Sequence, residues 1–220
     1  ALAGAPLIVN STDRECMAIA SRHLGRVITV GVHSTADISA IVTASSAAGS
    51  LFSLVFSRPF CDQAGNSLPT DPIPVRLMIP GLHNVENALF AAVAALWQGI
   101  PADAVTDGLA GFAGVERRLT IRRHQGLTVV DDTALNPGSI AAVFDTIRQF
   151  RYKRLVVVNA IRGRRGPAIN AANALALANQ FRNTPCALII TASQDRTGPA
   201  DTVSFQEQSA FLSQLDLSKT

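Results

Sequence analysis

Two asparagines and a histidine stand at the start of an alanine-rich apolar segment, in the order Gly81-Leu82-His83-Asn84-Val85-Glu86-Asn87. The apolar residues that fill nearly every position of 88–97 predict a helix buried on most of its faces. Polar groups at the N-terminal end of such a helix either cap the N–H groups of the first turn or contact a ligand. Asn84 and Asn87 are three residues apart and therefore share one side of that turn. Because one cap needs only one of them, the pair is a candidate binding site.

Carboxylates follow a short apolar strand at Asp131-Asp132, and Asn136-Pro137-Gly138-Ser139 then begins a helix. Open α/β sheets bind ligands at the carboxyl ends of their strands. Asp132 is therefore a candidate for binding a ribose hydroxyl or a metal-bound phosphate. The alternative is that Asp132 or Ser139 only caps the helix.

Arginines cluster at two places, Arg117-Arg118 and Arg162-Gly163-Arg164-Arg165-Gly166. A guanidinium in the first cluster can bind phosphate oxygens as two domains close, or the pair can be a solvated hinge. The second cluster follows a strand and precedes Pro167 at a helix start, a position that suits an anion. The alternative for the second cluster is a solvated basic loop.

Alternating strand and helix patterns position these groups and predict an α/β protein with two parts, hinged near 114–118 where glycines loosen the chain. The predicted strands are 7–10, 27–31, 38–43, 51–56, 75–79, 119–122, 127–130, 155–159 and 187–191. The predicted helices are 13–23, 82–97, 102–109, 139–150, 168–181 and 205–215. Ser11 or Thr12 is the expected cap of the first helix, with Ala18 and Ile19 facing inward. The second part is expected to contain a mostly parallel sheet with helices on both faces.

The composition of the 220 residues is that of a globular chain, with 48% hydrophobic and 16% charged residues and a net charge of +3. The three cysteines are far apart and lack a CxxC spacing, which favours reduced thiols in the cytoplasm and no zinc site. No apolar run has the length of a membrane helix, and no GxGxxG dinucleotide motif occurs. Nucleotides and small molecules are the expected partners, with no nucleic acid and no membrane insertion.

Three segments in this order resemble the Mur ligase family, the ATP-dependent amino-acid ligases of peptidoglycan synthesis and their folylpolyglutamate-synthase-like relatives. The segments are GLHNVENALFAAVAAL, GIPADAVTDGLAGFAGVERRLT and TVVDDTALNPGSIAAVF, and the resemblance extends from about Leu7 to about Pro199. It implies two mostly parallel three-layer α/β units, the second of them Rossmann-like. Residues 1–114 would be the second half of the central ATPase domain. Residues 115–220 would be the C-terminal domain, incomplete at its end.

The resemblance also implies roles for single residues. Nucleotide contacts are expected from Asn84, Asn87, Arg118, Asp132 and Asn136, and amino-acid contacts from Arg162, Arg164 and Arg165. Arg117 replaces the glycine usual in the family, which implies a stiffer hinge. Thr133 and Leu135 replace the usual tyrosine and histidine. Residues 189–196 are similar, with a large departure, to a Thr-x-Asp-Asn-Pro-Arg segment of the family.

The implied activity is an ATP-dependent ligation of an acid to an amino acid through an acyl phosphate, with Mg²⁺ as the metal. The chain has no GxxGK[ST] phosphate-binding loop. We therefore expect a fragment, inactive alone, with most Mg²⁺ ligands outside this chain and the missing N-terminal part of the same protein as a possible partner. The alternative function is that of an inactive Mur-like binding or regulatory domain.

Overall fold

The computed structural model describes residues 5–68, 70–192, 198 and 201–215. The chain divides into two compact units, Ala1–Val115 and Glu116–Thr220. The division lies inside the glycine-loosened segment 114–118 in which the sequence predicts a boundary.

The first unit is built on a sheet with the strand order β1-β2-β3-β4-β5. Its elements are β1 (Leu7–Asn10), α1 (Arg14–Ala20), β2 (Val27–Val32), β3 (Ile38–Ser46), β4 (Gly49–Phe56), β5 (Ile73–Leu77), α2 (Leu82–Trp97) and α3 (Ala102–Gly111). The pairs β1–β2 and β2–β3 are parallel, whereas β3–β4 and β4–β5 are antiparallel. The sheet is mixed because the two residues between β3 and β4 allow only a hairpin, while parallel neighbours need a longer connection.

The first helix differs in detail from the sequence prediction. Asp13, not Ser11 or Thr12, is its N-cap, and the Asp13 carboxylate accepts a hydrogen bond of 2.8 Å from the N–H of Cys16. This hydrogen bond is the largest cause of the lowered pKa of Asp13. Ile19, predicted to face inward, is 61% exposed, and Ala20 is the buried residue of the helix.

The core of the first unit lies between the sheet and α2. Helix α2 buries one stripe, formed by Val85, Ala88, Leu89, Ala92, Val93 and Leu96. The prediction that nearly all faces are buried was wrong, because Ala91 and Ala94 on the other face are exposed. Alanine occurs in both buried and exposed positions. The sequence of an alanine-rich helix therefore does not show which of its faces is buried. Strand β5 also lies two residues earlier than predicted, since its buried positions are Ile73, Val75 and Leu77.

The second unit contains a hairpin and a parallel strand pair with three helices. Its elements are β6 (Thr120–His124), β7 (Leu127–Asp131), α4 (Pro137–Ile147), β8 (Val156–Ala160), α5 (Pro167–Phe181), β9 (Ala187–Thr191) and α6 (Phe205–Leu212). Strands β6 and β7 are antiparallel, and β8 and β9 are parallel. Gln125 and Gly126 both have positive φ, 47° and 80°, as the two-residue turn of a twisted hairpin requires.

The core of the second unit lies among its three helices and one face of the β8–β9 pair. Phe144, Ala174, Leu177 and Phe211 are its most buried apolar side chains. The α/β class predicted from the sequence is confirmed. The expected single parallel sheet of this unit is found, within the described residues, as two separate two-stranded sheets. Among the helices of the described residues, none is both long and apolar enough to span a membrane.

Candidate functional site

The first candidate region is the start of α2, in the first unit. Gly81 is the N-cap residue with φ 98°, and no side chain caps the first turn. The amide group of Asn84 donates a hydrogen bond of 2.7 Å to the carbonyl of Pro80, which uses the side-chain nitrogen and not the oxygen. Asn87 is exposed on the same helix side. The amide of Asn10, at the end of β1, donates to the Glu86 carboxylate and ties this turn to the sheet.

The second candidate region joins Arg118 to Asp132 within the second unit. Arg117 and Leu119, on either side of Arg118, both have left-handed backbone conformations with φ 58° and 52°. The Asp132 carboxylate accepts a hydrogen bond of 2.8 Å from the N–H of Leu119. Thr133 donates twice to the carbonyl of Arg117, from its hydroxyl at 2.7 Å and from its N–H at 3.1 Å. We call residues 117–119 with Asp132 and Thr133 the arginine clamp.

The clamp explains how a strained segment is maintained. A left-handed residue other than glycine costs about 1–2 kcal/mol. The hydrogen bond that Asp132 accepts, those that Thr133 donates and the burial of Leu119, which is 4% exposed, stabilise both such residues. The Arg118 side chain remains exposed. Asp132 therefore does not cap α4, which excludes that part of the alternative considered from the sequence.

Asn136, a predicted nucleotide contact, is the N-cap of α4. Its side-chain oxygen accepts a hydrogen bond of 2.8 Å from the N–H of Ser139, so the cap is neither Asp132 nor Ser139. Helix α5 supports the same turn, because the Asn173 amide donates a hydrogen bond of 3.2 Å to the carbonyl of Leu135. A structural role is thus assigned to Asn136, while any ligand contact by its amide nitrogen stays a prediction.

The third candidate region is the loop Arg162–Gly166, which we call the arginine loop. The prediction that its backbone suits an external anion needs correction. The N–H groups of Arg165 and Gly166 donate to one oxygen of the Glu207 carboxylate, at 3.0 and 2.9 Å. Glu207 is 5% exposed and belongs to α6. The protein itself supplies the anion at this helix start, so only the side chains of the loop are available for an external one.

The arginines of the loop differ in their surroundings. Arg162, Arg164 and Arg165 are all exposed. Arg164 forms an ion pair of 3.5 Å with Asp201 and has φ 60°. Residues 193–196 of the family-like stretch 189–196 lie outside the described residues. Across the described ranges, no group of three or more His, Cys, Asp or Glu side chains is arranged to hold a metal ion.

Sequence reasoning missed the residues that support the candidate side chains. Thr133 was considered only as a departure from a family pattern, and Glu207 and Asn170 were not considered. A signal for Glu207 was present, because Ser204-x-x-Glu207 is the spacing of a capping box, and the structure contains that box. Nothing in the sequence indicates that the same carboxylate also binds a loop some forty residues earlier in the chain.

Comparison with known proteins defines the class of the second unit. Residues 117–210 match the family model described as "Mur ligase, glutamate ligase domain". The chain is 32% identical over 155 residues to the UDP-N-acetylmuramate–L-alanine ligase of Clostridium novyi, covering 69% of this chain and 31% of that protein. It is 34% identical over 135 residues to the enzyme of the same name from Dinoroseobacter shibae, covering 61% of this chain and 27% of that protein.

Solved structures agree in fold. A crystal structure of MurF from Acinetobacter baumannii superposes with a TM-score of 0.69 at 22% identity, covering 86% of this chain and 39% of that chain. A folylpolyglutamate synthase from Mycobacterium tuberculosis, solved in complex with ADP and AMPPCP, gives 0.66 at 19% identity, covering 95% of this chain and 43% of that chain.

Most of the second unit therefore matches the model of a Mur-type ligase domain. The chain is similar in sequence to Mur ligases, as its three motifs predict, and it spans 31% and 27% of the length of these two curated relatives.

Proposed function

We propose that this chain forms part of an ATP-dependent ligase that joins a carboxylate to the amine of an amino acid through an acyl phosphate. The two units would correspond to the second half of a Mur ligase central domain, residues 1–114, and to the C-terminal domain, residues 115–220. The resemblance to the Mur ligases suggests peptidoglycan synthesis as the setting. Three cysteines without a disulfide favour the cytoplasm.

The observation that carries the proposal is the arginine clamp. It fixes the backbone on both sides of exposed Arg118, through hydrogen bonds to Asp132 and Thr133 just after the end of β7. A guanidinium is suited to phosphate oxygens, and it acts most strongly when its position is fixed before the ligand arrives. Arg118 would bind the nucleotide phosphates and Asp132 the ribose side, with Asn84, Asn87 and Asn136 as further nucleotide contacts.

The incoming amino acid would be bound by the arginine loop. Because Glu207 already accepts the loop N–H groups, the carboxylate of the amino acid would meet guanidinium groups rather than backbone amides. Mg²⁺, when bound, would neutralise phosphate charge as the phosphoryl group is transferred. We assign no Mg²⁺ ligand among the described residues.

The clamp is tested by NMR titration of the full chain with ADP, with the amide resonances of residues 117–119 as the readout. ADP should shift these resonances in the wild type. Thr133→Val keeps the side-chain shape but removes the hydroxyl donor, and it should weaken ADP binding roughly three- to tenfold, the worth of one hydrogen bond. Thr133→Ser keeps the hydroxyl and should bind ADP as the wild type does.

Asp132→Ala should weaken binding more than Thr133→Val, since it removes a support of the clamp and a proposed contact together. The assignment fails if ADP leaves residues 117–119 unshifted, or if Thr133→Val and Thr133→Ser bind ADP equally well. Phosphate release with ATP, amino acid and acyl acceptor should then be measured for the chain alone and for the complete gene product. Turnover by neither would favour the alternative of an inactive binding or regulatory domain.

A further inference from the structure

The Glu207 carboxylate accepts hydrogen bonds from two separate segments, one for each of its oxygens. Oε2 accepts from the N–H and the hydroxyl of Ser204, at 3.0 and 2.9 Å, and completes the capping box of α6. Oε1 accepts from the N–H groups of Arg165 and Gly166. Asn170 lies 3.5 Å from the same Oε1 atom and donates at 2.9 Å to the carbonyl of Arg162. A helix cap alone would need only Oε2.

The arginine loop rests on the chain that leads into α6. A Cβ atom at Gly163 would collide with the carbonyl oxygens of Asp201 and Thr202, so the two backbones are in direct contact there. The ion pair between Arg164 and Asp201 lies next to this contact. With the bonds to Glu207, residues 163–166 are therefore attached to residues 201–207 at successive positions.

The observed conformation of the arginine loop is unfavourable unless other residues stabilise it. Three arginines within four positions repel one another, and Arg164 is a residue other than glycine with a left-handed φ of 60°. Without Glu207, the partly buried N–H groups of Arg165 and Gly166 would lose their acceptor, and losing a hydrogen bond to a charged group is costly. A buried anion bonded to the backbone offsets both effects.

We infer that Glu207 is a positioning residue of the amino-acid site, which fixes the arginine loop so that Arg162 and Arg165 present their guanidinium groups to the carboxylate of the substrate. The inference rests on the proposed function of the loop. It adds a division of roles in which the buried carboxylate binds the loop backbone and the exposed arginines bind the amino acid.

Limited proteolysis tests the positioning role without reference to any activity. Trypsin cleaves after arginine, so cleavage after Arg162, Arg164 and Arg165 measures directly how well the loop is held, and cleavage after exposed Arg22 in the other unit is an internal reference. Glu207→Ala should raise loop cleavage at least tenfold relative to Arg22. Glu207→Gln, which keeps one acceptor oxygen, should give an intermediate increase.

Ser204→Ala is the matched control, since it removes the side-chain cap of α6 but leaves Oε1 with the loop. Its loop cleavage should stay within about threefold of the wild type. Equal cleavage in Ser204→Ala and Glu207→Ala would overturn the inference, because the effect would then come from the helix cap. If Glu207→Ala does not fold, Gly163→Ala perturbs the same attachment from the loop side and should also raise cleavage. Unchanged cleavage in both Glu207→Gln and Gly163→Ala would also refute the inference.

NMR titration with L-alanine, the amino acid in the names of the curated relatives, tests the link to the substrate, with L-glutamate in parallel. Binding should shift resonances of residues 162–166, weaken at least fivefold in Glu207→Gln, and disappear when Arg162 and Arg165 are both changed to Gln. If neither amino acid shifts the loop while trypsin still reports its release in Glu207→Ala, the proposed amino-acid site fails but the attachment by Glu207 stands. If the amino acids bind equally to the wild type and to Glu207→Gln, the positioning role fails.

Discussion

The candidate residues of the two units are positioned by different kinds of interaction. Asn84 and Asn87 lie on a regular helix whose first turns are fixed by Val85, Ala88 and Leu89, all buried against the sheet. The arginine clamp and the arginine loop are irregular, and polar side chains bonded to backbone groups maintain their shape. The first arrangement depends on apolar packing that many residues share. The second depends on a few hydrogen bonds, so single polar substitutions should alter it while the unit stays folded.

The strongest test of this difference is Leu89→Ala, because the Leu89 side chain is completely buried in the core of the first unit. The lost burial and the cavity should cost about 2–5 kcal/mol of the free energy of unfolding. Denaturant unfolding followed by circular dichroism measures this cost.

Leu82→Ala is the matched control, since Leu82 belongs to the same helix and is 49% exposed. It should cost less than about 1 kcal/mol. A comparable loss in both variants would show that packing beneath α2 does not position the asparagines.

The difference between regular, apolar-packed elements and irregular, hydrogen-bonded segments also explains what could be predicted from the sequence. Strand β9 (Ala187–Thr191) was predicted at its exact bounds, and α2 and α5 to within a residue at their starts, because apolar periodicity reports regular elements. The clamp and the attachment of the loop to Glu207 could not be predicted, since each joins residues distant in sequence through backbone groups that carry no sequence signal. The N-cap of α1 was misplaced among three adjacent candidates, Ser11, Thr12 and Asp13, each of which can cap a helix.

A smaller and local effect is expected at acidic pH. Hydrogen bonds from the N–H of Ser204 first, then from Gly166, the Ser204 hydroxyl and Arg165, lower the pKa of Glu207 below its ordinary value of 4.5, although burial opposes them. The folded-state pKa is depressed, so the stabilisation by Glu207 is fully present above pH 4.5 and is lost as the pH falls through the lowered value. The other charged groups on the two attached segments are Arg162, Arg164 and Arg165 in the loop and Asp201 before α6.

Carboxyl ¹³C NMR measures this titration, with the amide resonances of residues 165 and 166 as a second reporter. Both should change together at a midpoint below 4.5. Glu207→Gln is the control and should abolish the amide transition. A midpoint at or above 4.5, or amide changes that persist in Glu207→Gln, would contradict the expectation.

The smallest effect is expected at Arg117, whose left-handed conformation glycine adopts without strain. Arg117→Gly should stabilise the second unit by less than about 1 kcal/mol, because the relieved strain slightly exceeds the added freedom of the unfolded chain. Thermal unfolding measures the change. Arg118→Gly, at a position without positive φ, should instead destabilise the unit slightly. The same sign for both variants would argue against strain in the clamp.

Helix α5 sets the spacing between two loops of the second unit. Asn170 donates to the carbonyl of Arg162 in the arginine loop, and Asn173 donates to the carbonyl of Leu135 beside the cap of α4. The two asparagines are three residues apart on one face, about 4.5 Å along the helix axis. The rise of a helix is fixed by its backbone hydrogen bonds, so this separation is set by geometry that no ligand needs to establish. A shift of α5 along its axis would displace both attachment points by the same amount and in the same direction.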